Sequence, residues 1–460
     1  MQSVELKHEE NQVEFGTGWH GPVARPSLPE VFRSVSVPLN ATFLRRLFAF
    51  VGPGYLVAVG YMDPGNWATD ISAGALYNYR LLSVVLIASL IAMFLQALAA
   101  KLGIVTGRDL AQACRDAYGP RVSVILWISA EIGIVACDIA EVLGAAIALN
   151  LLFHIPLAVG VILTALDVLL VLALQHRGFR WIEALVMLLI ATMMGIFIAE
   201  IVFAHPAWLG PDGVFAGFVP SAALISNHRM LYLSLGILGA TVMPHNLYLH
   251  SSIIQTRSYG RTRSELKDAI RMACVDSGVA LTLAMLVNAA ILILAAAAFY
   301  RSGHHEVADI EGAYKLLSPL LGASVAAPLF AIALLAAGQN STLTGTMAGQ
   351  IVLEGFTHFR MAPWMRRLVS RSLAIVPAVV AVVFYGNRGT GALLIFSQVI
   401  LSIQLSFAVV PLVHITSDRR RMGEFVSGKQ VRALAWSVAV VIAVLNVWLI
   451  VTTLAPPAHG

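Results

Sequence analysis

The chain has 460 residues, 58% of them hydrophobic and only 12% charged, with a mean hydropathy of +0.80. Soluble domains carry about 25% charged residues, so composition excludes an ordinary soluble domain, and the net charge of +5 has to be explained within a membrane protein. Cys114, Cys137 and Cys274 are widely spaced without a CxxC, which argues against a disulfide framework and against a thiolate cluster.

In chain order, residues 1–44 are polar, include Glu5, Glu9, Glu10 and several prolines, and lack the apolar core of a signal peptide. They are expected to form a mobile cytoplasmic tail. Residues 45–455 then read as one transmembrane domain, because no long soluble segment interrupts them. Eleven apolar windows are long enough to cross a bilayer. They lie at about 48–74, 81–105, 122–151, 155–174, 181–204, 230–255, 273–300, 316–345, 367–386, 391–416 and 431–454.

If residue 1 is cytoplasmic, the connections alternate sides, and the outer ones hold only Arg80, Arg229, Arg301, Lys315 and Arg388. The other 25 of the 30 Lys and Arg fall inside. This is the positive-inside bias. The basic charge is therefore topology and not a nucleic-acid surface. An odd number of spans places the C-terminus outside, and the lack of targeting segments points to a multi-pass protein of the plasma (inner) membrane.

The first window is interrupted by "GYMDPGNWATDI" (Gly60 to Ile71), and the sixth by "LGATVMPHNLYLHS" (Leu238 to Ser251). Proline breaks a helix, and in lipid the freed backbone groups survive only where they are buried or line a cavity. Pro64, Gly65, Pro244 and Asn246 mark these breaks. Because the breaks lie five helices apart, an all-α fold is expected with two inverted five-helix repeats, about 48–204 and 230–416, and an extra helix at about 431–454. Inverted-repeat transporters bind substrate at such unwound midpoints.

Asp63 places a carboxylate inside an apolar span, a position that usually faces a cavity. Asn66 adds an amide oxygen, Met243 a thioether sulfur, and the unwound carbonyls of Gly60 and Ala240 further oxygens. Sulfur favours softer divalent transition metals over magnesium or calcium. In the third window Glu131, Asp138 and Glu141 are spaced to share one helix face. A buried acidic face of this kind is suited to proton exchange. His245 is the side chain at the breaks with an unperturbed pKa near neutrality, and Arg366 and Arg367 in "PWMRRLVSR" are basic partners for the carboxylates. His250 is read as either gating or packing. Asp70, Asp167, Glu183 and Glu200 are read as helix-end or interhelical contacts, and "HHEVADIE" (His304 to Glu311) as a solvated loop.

"DPGN", "MPHNLYLHS" and "AAGQNSTLTGTMAGQIVLEGF" (Ala336 to Phe356), in that order within eleven spans, resemble the natural resistance-associated macrophage protein (NRAMP) family of divalent-metal transporters. The resemblance covers the membrane domain from about residue 45. It implies a LeuT-like fold, metal ligands at Asp63, Asn66 and Met243 with the Gly60 and Ala240 carbonyls, and Gln398 near the ion in some states. It also implies a proton pathway through His245, Asp138, Glu141 and the arginine pair, with Asp63 titrating. Trp67 is bulkier than the family's usual residue after the asparagine, so it is expected to narrow the vestibule beside the site. The expected function is proton-coupled import of manganese, with ferrous iron next and cobalt, zinc and cadmium also admitted by the ligands. No bound cofactor, covalent chemistry or obligate protein partner is expected. The alternatives are a magnesium transporter on the same scaffold, an amino-acid or amine symporter of the same fold, and a membrane sensor that kept the fold and lost transport.

Overall fold

Apolar sequence in a bilayer must satisfy its backbone internally, which leaves helices as the economical solution for this chain. A computed structural model describes residue 19 and residues 25–29, 31–38, 41–166, 179–305, 310–322, 324–357, 359 and 361–454. In chain order the principal helices are α1 (Phe43–Phe50), α2 (Pro53–Gly60), α3 (Pro64–Tyr77), α4 (Leu82–Thr106), α5 (Leu110–Ala117), α6 (Pro120–Phe153), α7 (Leu157–Leu163) and α8 (Phe179–Ala204). They continue as α9 (His228–Thr241), α10 (Pro244–Ile253), α11 (Arg263–Ala295), α12 (Ile310–Leu321), α13 (Ala326–Thr357), α14 (Pro363–Thr416) and α15 (Lys429–Leu454). Proline stands in the first turn of α2, α3, α6, α10 and α14, where its missing N–H costs nothing.

Seven helical stretches among the described residues are long and apolar enough to cross a bilayer, and the bent pair α1–α2 makes an eighth. The chain is a multi-pass membrane protein. Hydropathy alone predicts eleven windows, and the difference has a physical origin. The breaks divide the first window among α1, α2 and α3, and the sixth into α9 and α10 of 14 and 10 residues. The window at 155–174 runs into residues outside the described set, and Leu368–Phe384 within α14 is a shorter apolar stretch.

The core lies between α6, which packs on α13 and α14, and α11, which packs on α2, α3 and α4. Outward-facing Leu90, Ile125, Leu188 and Phe384 present an apolar rim. Trp67 of α3 is fully buried and meets Phe197 of α8 and Phe330 of α13 edge-on, both at 5.1 Å between ring centroids. Its indole is the joint between three helices.

Within the N-terminal segment, residues 25–29 and 31–38 make defined contacts with the rest of the chain. β1 (Val35–Ser36) pairs in parallel with β2 (Arg257–Ser258), Val35 opposite Arg257. The Arg33 guanidinium donates to the Tyr259 carbonyl at 2.7 Å, and the Ser27 hydroxyl donates to Asp109 at 2.6 Å. Asp109 also caps α5 in a reciprocal capping box with Gln112. Trp19 lies under the Arg108 guanidinium, 4.5 Å from ring centroid to charge.

Trp67→Ala should destabilise the protein by about 3–5 kcal/mol, read as a lowered midpoint in thermal unfolding of the detergent-solubilised protein. A second expectation concerns Asp109, whose carboxyl is pushed up to about 6 by burial, against the lowering by Ser27 and Gln112. A carboxyl raised in the folded state contributes stability that is complete below its unfolded value and is lost as pH rises through its folded one. This carboxyl should therefore contribute more to stability at about pH 5 than at about pH 7.5, read from thermal unfolding of the detergent-solubilised protein, and Asp109→Asn should reduce that pH dependence.

Candidate functional site

The first break is built from the end of α2 and the start of α3. An α-helix would bond the Gly60 carbonyl to the N–H of residue 64, but that residue is proline and has none. The same spacing recurs between Ala240 and Pro244 at the end of α9. The last turn of α2 closes instead by short-range bonds from Tyr61 and Met62 to Ala58 and Val59. Asn288 of α11 donates to the Tyr61 carbonyl at 2.8 Å. Asp63 caps α3 by accepting the Asn66 N–H at 2.8 Å through Oδ1.

The two breaks meet. Gly60 lies against the Asn246 amide so closely that a Cβ there would sit 2.2 Å from Nδ2. Asn246 also donates to the Val57 carbonyl at 3.4 Å. Gln398 of α14 lies against Gly65, where a Cβ would fall 1.7 Å from its Nε2. Met243 is fully buried with Ala136, Cys137 and Leu401, which ties the second break to α6 and α14. Asp63, Asn66, Asn246 and Gln398 are each at most 1% exposed.

Five acceptor oxygens around these breaks have no hydrogen-bond partner among the described residues: Asp63 Oδ2, Asn66 Oδ1, Thr241 Oγ1, Asn246 Oδ1 and Gln398 Oε1. Leaving a buried acceptor unpaired costs about 1–3 kcal/mol, so this concentration points to a cation. Among the described residues no three His, Cys, Asp or Glu converge in a chelating group. The available donors are one carboxylate, neutral oxygens and a thioether, a set suited to holding an ion and letting it go. Thr241 lies within the quoted second break but is not among the residues singled out there. Its only sequence signal is its place beside the Met-Pro break.

Asp138 and Glu141 of α6 are buried, at 1% and 0% exposure. The Arg371 guanidinium donates to Glu141 Oε2 at 3.2 Å, to the Thr342 hydroxyl at 2.6 Å and to the Asp138 carbonyl at 3.4 Å. Cys137 Sγ stands 3.8 Å from both Glu141 Oε1 and His245 Nε2, bridging the second break to the buried carboxylate. Glu131 is only partly buried and pairs with Arg366 at 2.7 Å, while Trp127 donates to its other oxygen at 2.9 Å.

Of the expected arginine pair, Arg366 partners Glu131, and the Arg367 side chain lies outside the described residues; a further arginine, Arg371, pairs with Glu141. Arg371 is the last residue of the same "PWMRRLVSR" stretch, about a turn deeper in the helix. In the sequence it passes for one more topology charge.

Other residues singled out in the sequence have varied surroundings. His250 Nδ1 is 3.0 Å from Gln96 Oε1, and Gln96 donates to the Tyr61 hydroxyl at 2.7 Å, a chain that ends at the first break. Glu183 forms ion pairs with Arg257 and Arg180, as an interhelical contact. Asp70 and Glu200 are buried, with Asp70 Oδ2 and both Glu200 oxygens lacking a hydrogen-bond partner among the described residues. Asp167 and residues 306–309 lie outside the described set.

Comparison with known proteins identifies the family. The sequence matches the family described as natural resistance-associated macrophage protein-like over residues 54–452. It is 59% identical over 436 residues to the divalent metal cation transporter MntH of Listeria monocytogenes (strain HCC23), covering 95% of this chain and 97% of that protein. The protein of the same name from Nostoc sp. (strain PCC 7120) is 56% identical over 433 residues, 94% of this chain and 97% of that one. A crystal structure of the Eremococcus coleocola manganese transporter, bound to an aromatic bis-isothiourea substituted compound, superposes with a TM-score of 0.86 at 42% identity, covering 93% of this chain and 91% of that one. Mhp1, a nucleobase-cation-symport-1 family transporter, superposes with a TM-score of 0.59 at 16% identity, covering 87% of this chain and 90% of its own, and shares the fold alone. The chain belongs to the natural resistance-associated macrophage protein family.

Proposed function

We propose that this protein imports divalent transition-metal ions together with protons by alternating access, with manganese the first substrate and ferrous iron next. The observation that carries the reading is the set of five unpartnered buried oxygens on and around the two helix breaks, the second of which also carries the buried Met243. A cation answers those oxygens, whereas an amino-acid carboxylate would add acceptors to a site already rich in them. Relatives named as divalent metal cation and manganese transporters support the same reading.

In this mechanism Asp63 supplies the charge, Asn66 and the Gly60 and Ala240 carbonyls supply neutral oxygens, and Met243 supplies the soft donor that a magnesium site would not need. Gln398 joins them in some states. The breaks let α1–α2 and α10 change angle against α3 and α9, so the ion meets one side of the membrane at a time. Protons enter through Asp63 or His245 and pass by Cys137 to Glu141, Asp138 and Arg371, with Glu131 and Arg366 nearer the surface. The architecture we propose is eleven crossings in two inverted five-helix repeats and one extra helix. The N-terminus is cytoplasmic and the C-terminus lies outside the plasma membrane. The membrane potential then favours uptake by about 2.3 kcal/mol per charge for each 100 mV, and about twice that for a divalent ion. Metal and protons are cargo, and no resident cofactor is needed.

The decisive measurement is uptake into proteoliposomes carrying a proton-sensitive dye. Wild type should take up manganese with protons in the presence of excess calcium or magnesium. Met243→Ala should lose roughly tenfold in discrimination against the hard ions, which corresponds to about 1.4 kcal/mol. Unchanged discrimination would make Met243 a packing residue and remove the transition-metal assignment. Glu141→Gln should keep measurable manganese uptake while proton entry falls several-fold. Equal losses of both fluxes would place Glu141 outside the proton route.

A further inference from the structure

A cleft of about 250 Å³ opens at the start of α6, where α5 leads into it and the end of α13 packs alongside. It is lined by Arg115, Tyr118, Ser123, Trp127, Phe356 and Thr357, with Pro120 and Val124. That is several times the roughly 30 Å³ that one water occupies in the liquid. α6 has 34 residues and is about 51 Å long, against a hydrocarbon core of about 30 Å. At least one of its ends therefore stands among the lipid headgroups. Tyr118, Trp127, Arg115 and Arg121 mark this end, since aromatic and basic residues gather at the membrane interface.

The polar groups at the cleft are those that hold a phosphate. The start of a helix leaves N–H groups without intrahelical partners and favours anions. Here the residue before the helix is Gly119, which supplies no side-chain cap. In the first turn Ser123 is only 6% exposed, and its hydroxyl has no hydrogen-bond partner among the described residues. Such a buried donor calls for a ligand. Arg115 is fixed at the cleft by Asp116 at 2.9 Å and by the Gly355 carbonyl, to which it donates at 2.6 Å. Arg121 is exposed beside Pro120. Among the described residues none that lines the cleft is acidic.

The apolar surroundings say what carries the phosphate. Val124, Ile125, Ile128 and Ile132 are 49–57% exposed and run down one side of α6 from the cleft. A free anion has no use for that strip, whereas a phospholipid brings a phosphate and acyl chains together. Basic pockets between helices on the cytoplasmic side suit anionic headgroups. Trp127 then links the cleft to the interior. Its indole donates to Glu131 Oε1 at 2.9 Å, and Glu131 Oε2 pairs with Arg366 at 2.7 Å.

We propose that this cleft binds an anionic phospholipid of the cytoplasmic leaflet, its phosphate at Ser123, Arg115 and Arg121 and its acyl chains along α6, and that the bound lipid steadies Trp127 and through it the Glu131–Arg366 pair. Trp127 is a positioning residue. Its effect on transport rests on the proton route proposed above, whereas the lipid site does not.

Native mass spectrometry of the delipidated full chain in detergent tests the site, with phosphatidylglycerol, phosphatidylcholine and inorganic phosphate as probes. Wild type should hold one phosphatidylglycerol about tenfold more tightly than phosphatidylcholine, and Arg121→Gln and Ser123→Ala should each weaken it by roughly fivefold. Both variants should fold, because Arg121 is exposed and the Ser123 hydroxyl has no partner among the described residues to lose. Equal affinity for the two lipids, or unchanged binding in both variants, would overturn the site. Displacement of the lipid by millimolar inorganic phosphate would make it a free-anion site and overturn it too. Proton entry with manganese into proteoliposomes tests the coupling. Wild type should run about threefold faster with phosphatidylglycerol than with phosphatidylcholine alone. Trp127→Phe keeps a ring but loses the N–H, so it should bind the lipid like wild type and lose that dependence. A wild type indifferent to lipid, or a dependence that survives in Trp127→Phe, would overturn the coupling. Wild-type protein that carries neither ion in either vesicle would instead sink the transport reading, and the mass spectra would still decide the lipid site.

Discussion

The candidate site depends on one backbone constraint. Pro64 and Pro244 have no N–H to give the carbonyls of Gly60 and Ala240, and lipid offers no water in exchange. Each helix must therefore end inside the membrane domain, and the ends must be buried against something polar. At the first break Asn288 takes the Tyr61 carbonyl and Asp63 takes the Asn66 amide. In the proposed mechanism the carbonyls of Gly60 and Ala240 and the unpaired side-chain oxygens receive the ion. Glycine at positions 60 and 65 lets Asn246 and Gln398 close around the break to distances that any Cβ would forbid.

Buried charge in this protein is handled in two ways, and the contrast separates mechanics from chemistry. Around the α1–α2 kink Arg257, Arg180, Glu183 and Asp276 are each met by an opposite charge or by a helix-end backbone group, so the cluster reads as a fixture. At the breaks, Asp63 has one oxygen satisfied and one without a partner. Glu141 lies between these cases, paired with Arg371 yet linked through Cys137 to His245. Full satisfaction favours a single geometry. Partial satisfaction leaves room for a proton or an ion to arrive and depart.

Local features of the fold and site were legible in the sequence because they are signalled by neighbouring residues. Apolar windows, helix-breaking prolines, and a carboxylate or thioether at a break are all read within a few positions, and that is how Asp63, Asn66, Met243 and His245 stand out as candidates. Long-range pairing was not legible. Arg371 could not be told from Arg366 or Arg367, because which guanidinium reaches Glu141 depends on how far along α14 the helix meets α6. Glu183 and Asp276 look like unremarkable polar residues in their own helices. Only when α8, β2 and α11 converge on residues 49–54 do they become one cluster.

Residues 25–29 and 31–38 make the same point from the other direction. Their composition is that of a solvated tail, and nothing in the sequence links Ser27 to Asp109 or Val35 to Arg257, since one contact is a single side-chain hydrogen bond and the other a two-residue strand pairing, each made across more than eighty positions. By itself the sequence determined that this is a membrane protein, where its helices break, and which donors stand at the breaks, because hydropathy, proline geometry and ligand chemistry are properties of short stretches. Only the tertiary structure decided which charges pair, what Trp67 packs against, and how α1 is held, because those depend on side chains meeting in space from helices far apart in the chain.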